Sequence, residues 1–491
     1  MGKHTLSRSK QWTTLLFVAV LVSLFYTSEV SDKLTAYYAS TLSQTLTPAD
    51  GNGDRPPSYT DLREWEVRLP QHNLDLPFPE GRSGRFVLFS NSRAHPVGWN
   101  NKLNDMLMNT WLAYSSNRAY VFHDFVWTRS HYPWAASSYG QEWTPRTPLN
   151  ALISGPSAGG PWEQGDNAPR SISEAWFDIV CPKSERRIIH TRDVKSGVYW
   201  ADGKVIFEKW QRLLSEAPER CIEVVPGSPE DDPFPETFDI WFWSTERSIS
   251  LWDEFKVSPV SRLLGTSGIV QSAIDDNRRL FHSNGQSTSK DPFDNVLSIH
   301  VRRGDFKEAC LEHAAENSTF YNWNLLSFLP DKFYPPAATP GIIIPKGRNT
   351  PDNEAIFLAR CLPSAASITH KVQMAREAYL QASPMPARGS LKPNRLLRSK
   401  RPLDVLYIMS NDRTVWLDNL KDALRKDGWD RIVTSGDLKL NSEQKDVSVA
   451  VDMDIGRRSA VFIGNGWSSF TSNVVHRRLV DGKEPISIRF W

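Results

Sequence analysis

Short apolar runs, each closed by turn residues, recur along this chain: Gly84-Arg-Phe-Val-Leu-Phe89, Ala119-Tyr-Val-Phe-His123, Asn295-Val-Leu-Ser-Ile299, Leu403-Asp-Val-Leu-Tyr-Ile-Met409 and Ala460-Val-Phe-Ile463. Their length and their β-branched and aromatic content predict buried strands. Helical spacing lies between them. Leu103, Met106, Leu107, Thr110, Trp111 and Tyr114 fall on one face of a helix over 102–114, so strand, loop, helix and strand form a βαβ unit there. Further helices are expected over 364–382, over 414–426 with a stop at Gly428, over 447–457, and from the turn at 464–470 to about residue 479. Two Rossmann-like α/β domains facing a cleft, with ligand loops at the strand ends, are the simplest assembly of these elements.

The pattern lapses in several places. Residues 28–83 are polar and rich in Ser, Thr and Pro, the composition of a stem or linker. Residues 128–170 show little periodicity and are expected as a long loop over the site or an insertion. A polar break between Ser283 and Pro292 divides a first domain, 84–288, from a second, 289–491. Ahead of all this, Lys3, His4, Arg8 and Lys10 precede an uncharged apolar run within 12–27. Residues 1–11 then read as a cytoplasmic tail and 12–27 as a single-pass type II anchor. The run is shorter than the usual span of about 20 residues, which leaves a cleaved signal peptide as the alternative. The anchored reading places the body of the chain in the lumen of the Golgi or endoplasmic reticulum.

Composition changes this picture little. The net charge of +2 gives no nucleic-acid footprint. The four cysteines, Cys181, Cys221, Cys310 and Cys361, suit two disulfides in a lumenal domain. Of the three possible connectivities, pairing within each half is expected, and no Cys-x-x-Cys spacing suggests zinc.

The chemistry concentrates at two strand ends. The strand at 295–299 runs into His300, Arg302, Arg303 and Asp305 and breaks at Gly304. Guanidiniums at the carboxyl end of a hydrophobic strand call for a negative partner, and that edge of an open α/β sheet is where ligands sit. The planar fork of arginine matches phosphate. The second place is Gly464-Asn-Gly-Trp-Ser-Ser469, where glycines would let backbone approach a ligand. Ser468 and Ser469 would open a helix whose free N–H groups and dipole attract phosphate.

His300-Val-Arg-Arg-Gly-Asp-Phe306, then Asp452, then Ser468-Ser-Phe470 resembles the motif series of the GDP-fucose protein O-fucosyltransferase superfamily, with its α1,6-fucosyltransferase relatives. Gly98-Trp-Asn-Asn-Lys-Leu103 resembles that family's first-helix loop. The resemblance spans about residues 84–490 and is specific at these islands. It implies a GT-B fold and an inverting, metal-independent transfer of fucose from GDP-fucose to a protein or glycan acceptor, with no cofactor. It implies that Arg302 stabilises the departing GDP and that His300 shapes the nucleotide pocket. Asp452 would accept from guanine, and Ser468, Ser469 and Phe470 would hold the diphosphate and the sugar side. Asn100 and Asn101 would lie near the acceptor and the sugar. Arg303 and Asp305 belong to the same loop and count among the substrate-binding candidates, Asp305 orienting Arg302 or Arg303 and Arg303 supporting the structure.

A rival motif is Asp452-Met-Asp454, formally the Asp-x-Asp of metal-dependent glycosyltransferases. Carboxylates at i and i+2 of a helix point to different faces, which argues against a shared ion. The general base has no assignment: the loop His95-Pro-Val-Gly-Trp99 has no carboxylate, and Asp105, Asp305, His95 and His123 each have an ordinary structural reading. A lumenal sugar-nucleotide or glycan-binding protein without catalysis, and an enzyme using another nucleotide sugar, remain the alternatives.

Overall fold

The structure, a computed structural model, describes residues 55–94, 97–140, 142–282, 291–336, 350–382 and 402–491. The expected tail, the anchor and most of the stem lie outside these residues, as does His95. Among the described residues no helix is long and apolar enough to cross a membrane.

Two five-stranded parallel sheets organise the chain. The first takes β1 (Phe86–Phe89), β2 (Ala119–Phe122), β3 (Ile172–Ser173), β4 (Arg187–His190) and β5 (Cys221–Val225) in the spatial order β3-β2-β1-β5-β4. The second takes β6 (Val296–Val301), β7 (Val405–Ser410), β8 (Arg431–Thr434), β9 (Val461–Gly464) and β10 (Ile488–Phe490) in the order β8-β7-β6-β9-β10. Every residue of β1, β2, β6 and β9 is buried, as expected where helices cover both faces of a parallel sheet. All strand pairs within each sheet are parallel, so each sheet gathers its strand-to-helix loops along one edge. The α/β class expected from the periodicity is the class observed.

Six helices position the site and the seam between the two halves: α1 (Thr60–Val67), α2 (Trp99–Ser115), α3 (Phe306–Ala315), α4 (Val415–Lys426), α5 (Ser448–Arg458) and α6 (Ser469–Val480). α2 departs from expectation. Its sequence reads as amphipathic, yet 13 of its 17 residues are buried, including Lys102, Asn104, Asp105 and Asn109. It packs against the first sheet and also against α6 of the second half, so even its polar face meets protein.

The segment read as stem needs correction. Residues from about 56 onward fold onto the body. Tyr59 is buried and donates to Asp446 at 2.8 Å. Arg63 on α1 pairs with Asp124 at 2.6 Å, and Gln71 donates to the carbonyls of Gly159 and Ser171. The linker-like composition misled because the anchoring groups are polar, with partners up to 387 residues away. Residues 128–170 are also more ordered than a free loop. Two-residue antiparallel ladders join Phe125–Val126 to Arg146–Thr147 and Ile153–Ser154 to Gly265–Thr266, and the rings of Trp127, Tyr132, Tyr139 and Trp143 pack in tilted and edge-to-face pairs.

The disulfides pair within each half, Cys181 with Cys221 and Cys310 with Cys361. The second ties α3 to Cys361, whose carbonyl accepts from Asn465, in the turn between β9 and α6, at 2.6 Å.

Candidate active site

β6 lies at the centre of its sheet, and its carboxyl end carries the arginines into a loop that Gly304, at φ +63°, turns back into α3. A residue with a side chain is disfavoured at that φ. The two arginines separate. Arg302 is half-exposed and its guanidinium donates to Asp305 at 2.7 Å. Its Nε is buried with no hydrogen-bond partner among the described residues, an unsatisfied donor that an anionic oxygen would relieve. Arg303 turns into the protein, its guanidinium 4.0 Å from the ring centre of Trp416 on α4 and donating to the Pro363 carbonyl at 3.1 Å. It supports the loop from the protein side.

Asn411, which follows β7, holds this loop and was missed in the sequence. Its Oδ1 accepts from the Arg303 N–H at 3.0 Å, and its Nδ2 donates to the Arg303 carbonyl and to Asp305. The available signal was an Asn directly after a predicted strand, at the edge where the Arg loop also lies. Asp305 thus bridges Asn411 and Arg302, so the loop and the Arg302 side chain are positioned together.

His300 is buried, its ring centre 4.4 Å from that of Phe470 and its Nδ1 3.4 Å from Thr471 Oγ1. Burial, and then the Arg302 charge, lower its pKa to about 3. It is a neutral wall and adds no charge. The same contacts tie β6 to α6, since β6 and β9 are neighbours in register at Ile299 and Ile463.

The turn before α6 is rigid for a different reason from the one expected. A side chain at Gly464 would meet Thr471 at 2.5 Å, and one at Gly466 would meet the Phe320 ring at 2.3 Å. These glycines make room for the protein's own side chains. Asn324 donates to the carbonyls of Gly466 and Ser468. What the turn offers outward is the helix end. Ser468 is the N-cap of α6 but makes no side-chain cap bond, and neither the Ser468 nor the Ser469 hydroxyl has a hydrogen-bond partner among the described residues. The first-turn N–H groups of Ser469, Phe470 and Thr471 lack intrahelical acceptors by helix geometry.

Asp452 sits on α5 with its carboxylate accepting from Tyr407 at 2.5 Å and from Ser435 at 2.8 Å. Burial raises its pKa to about 6, partly offset by these two donors. These bonds leave little spare acceptor capacity for a guanine. Asp454, two residues on, faces elsewhere, accepting from Thr266 and pairing with Arg457 and Arg458. The two carboxylates of the Asp-x-Asp therefore do not converge.

The first half contributes Asn100 and Asn101 at the start of α2. Asn473 on α6 donates to the Asn100 carbonyl at 2.9 Å, and Tyr321 donates to Asn101 Oδ1 at 2.9 Å. Both asparagines are thereby fixed at the seam between the halves. One turn further in lies Asp105, buried, with neither carboxylate oxygen hydrogen-bonded among the described residues. Burial raises its pKa to about 7 against the pull of Lys102, which itself pairs with Glu236 at 3.0 Å. The ionised form of Asp105 is thus disfavoured in the fold. The penalty is absent below the ordinary value of about 3.9, grows as pH rises, and is complete above about 7. Asp105→Asn should accordingly raise Tm more at pH 8 than at pH 5; a gain that stays constant with pH in thermal melts would contradict this account.

No family model matches this chain, and no curated protein matches it. Among solved structures it is similar to POFUT1 in complex with GDP, at 15% identity over 83% of this chain and 99% of that one, with a TM-score of 0.45. It is also similar to NodZ α-1,6-fucosyltransferase soaked with GDP-fucose, at 14% identity over 79% and 91%, with a TM-score of 0.34. A mutant of Arabidopsis thaliana FUT1 in complex with GDP shows 11% identity over 91% and 77%, with a TM-score of 0.32.

Proposed function

We propose that this chain is a glycosyltransferase that binds GDP-fucose at the carboxyl edge of its second sheet and transfers fucose to a protein or glycan acceptor held by the first half. The observation that carries the reading is the juxtaposition at β6 and β9. A half-exposed guanidinium with an unsatisfied Nε stands on one strand end. On the neighbouring strand end stands an uncapped helix N-terminus with two unpartnered serine hydroxyls. Both features favour a diphosphate.

Breaking the bond from fucose to the β-phosphate builds negative charge on the leaving GDP. Arg302 and the N–H groups at Ser469–Thr471 are donors fixed where that charge develops, and pre-positioned donors of this kind stabilise the transition state without reorganisation. Asp305 and Asn411 hold the arginine loop in place for the event. Neutral His300 and Phe470 close the pocket wall without competing for the arginine. This electrostatic support stands in for a divalent ion in an inverting, metal-independent reaction. The residues 12–27 anchor the enzyme in a Golgi or endoplasmic reticulum membrane with its catalytic part in the lumen, a compartment consistent with two disulfides.

The donor assignment is tested by thermal shift with GDP, UDP and GDP-sugars, with and without a chelator. GDP and GDP-fucose should raise Tm, and chelation should leave the shift unchanged. Stabilisation by UDP and not by GDP would overturn the guanine-nucleotide donor. Release of fucose from GDP-fucose in the absence of acceptor would distinguish an enzyme from a binding protein.

A further inference from the structure

The first half has a cavity of its own at the carboxyl ends of β2 and β3, of about 160 Å³. That is small beside the roughly 300–1,000 Å³ of pockets for drug-sized ligands, and it suits a single ring. Its position is informative. One wall is the loop after β1, which carries Arg93 and leads to Asn100 and Asn101 at the seam. Another is the strand Arg146–Thr147, whose Thr147 donates to Asp446 of the second half at 2.6 Å. The third is α1, the helix from the segment that reads as stem, which contributes Arg63 and Glu66.

The charges in this cavity are interleaved. Arg63 grips Asp124 through both guanidinium nitrogens, at 2.8 and 2.6 Å, and also pairs with Glu66 at 2.9 Å. Arg93 pairs with Glu174 at 2.7 Å. Arg146 makes no hydrogen bond to any described residue, though its charge helps lower the Asp124 pKa. His123 is buried and neutral, its Nε2 3.2 Å from Ser92 Oγ. Three guanidiniums therefore stand against three carboxylates, and Phe122 adds an apolar surface. Such a lining has no net field to attract a phosphate. It does offer alternating donors and acceptors to a ligand whose groups both donate and accept, which is the chemistry of hydroxyls.

We infer that this cavity holds a neutral sugar residue of the acceptor, with Arg146 as the donor left open for it. The inference rests on the transferase reading, because it supplies the acceptor side of that site. It is tested on the full-length chain by saturation-transfer NMR with neutral methyl glycosides of N-acetylglucosamine, galactose and glucose, with inorganic phosphate as a competitor. At least one glycoside should show ring-proton saturation that phosphate does not displace. The signal should fall about tenfold or more in Arg146→Leu while the Tm shift with GDP is kept. If Arg146→Leu fails to fold, Glu174→Gln should give the same loss. Absence of signal from every glycoside, signal unchanged in both variants, or displacement by phosphate would overturn the inference. Glycoside binding that survives in a protein unresponsive to GDP would support the cavity and sink the donor reading, so the two failures are separable.

Discussion

Replacing Arg302 with alanine is expected to lower turnover of GDP-fucose by roughly 10²–10³-fold, the scale on which removal of one fixed transition-state donor acts. The structure explains why the loss should fall on catalysis and not on folding. The Arg302 side chain is 36% exposed and its one ion pair among the described residues is to exposed Asp305, a class of contact worth about 0–1 kcal/mol. Tm should therefore stay close to that of the parent chain. Arg302→Lys keeps a charge but loses the planar fork, and should recover part of the rate. Asp305→Ala tests positioning: it frees Arg302 without removing it, so kcat should fall less than in Arg302→Ala while GDP still binds. Arg302→Ala with near-full kcat would show that leaving-group charge is not stabilised at this strand end. Steady-state kinetics with GDP-fucose, alongside thermal melts, decides the matter.

Asp446→Ala should produce the largest loss of stability. This carboxylate is completely buried and comes from the second half, yet it accepts from three donors of the first: Tyr59 at 2.8 Å, Trp134 at 2.9 Å and Thr147 at 2.6 Å. Removing it strands three buried donors, each costing about 1–3 kcal/mol, for a total on the order of 3–9 kcal/mol. Asp446→Asn keeps one carbonyl oxygen and should lose less. The damage should centre on the seam. The β6 and β9 strand ends lie entirely in the second half, so GDP should still stabilise the variant below its melting range. Denaturant titration followed by tryptophan fluorescence provides the measurement. A midpoint within error of the parent would mean that the seam is held elsewhere.

The two sites differ in how much of them was visible in advance. Arg302, Ser468 and Ser469 were legible because each is local: an apolar run ending in arginine, and a strand meeting a helix through a Gly-Ser turn. The disulfide pairs were legible for a similar reason, as each closes a segment within one half. Asn411 acts on a loop more than 100 residues away in sequence, and nothing near it marks that partnership. The glycines of the turn were legible as requirements but not in their cause, since Thr471 and Phe320 fill the space a ligand was expected to use. Asp105 sits on a helix whose apolar spacing predicts one buried face. Its burial beside Lys102, Glu236 and Lys195, brought together from distant stretches of the first half, is a tertiary outcome and moves its pKa.

By itself, the sequence determined the α/β class, the strands of both halves that carry the motifs, the arginine strand end and the serine helix start. These follow from hydrophobic periodicity and from the free groups at element ends, which depend on near neighbours. The tertiary structure alone decided that Arg302 faces outward while Arg303 packs on Trp416, that Asp452 is already satisfied by Tyr407 and Ser435, and that residues 56–83 belong to the folded body. It alone assembled the neutral cavity from α1, β2 and the Arg146 strand. Those outcomes depend on which distant groups arrive to meet a charge, and burial with long-range hydrogen bonding sets that choice only once the chain has folded.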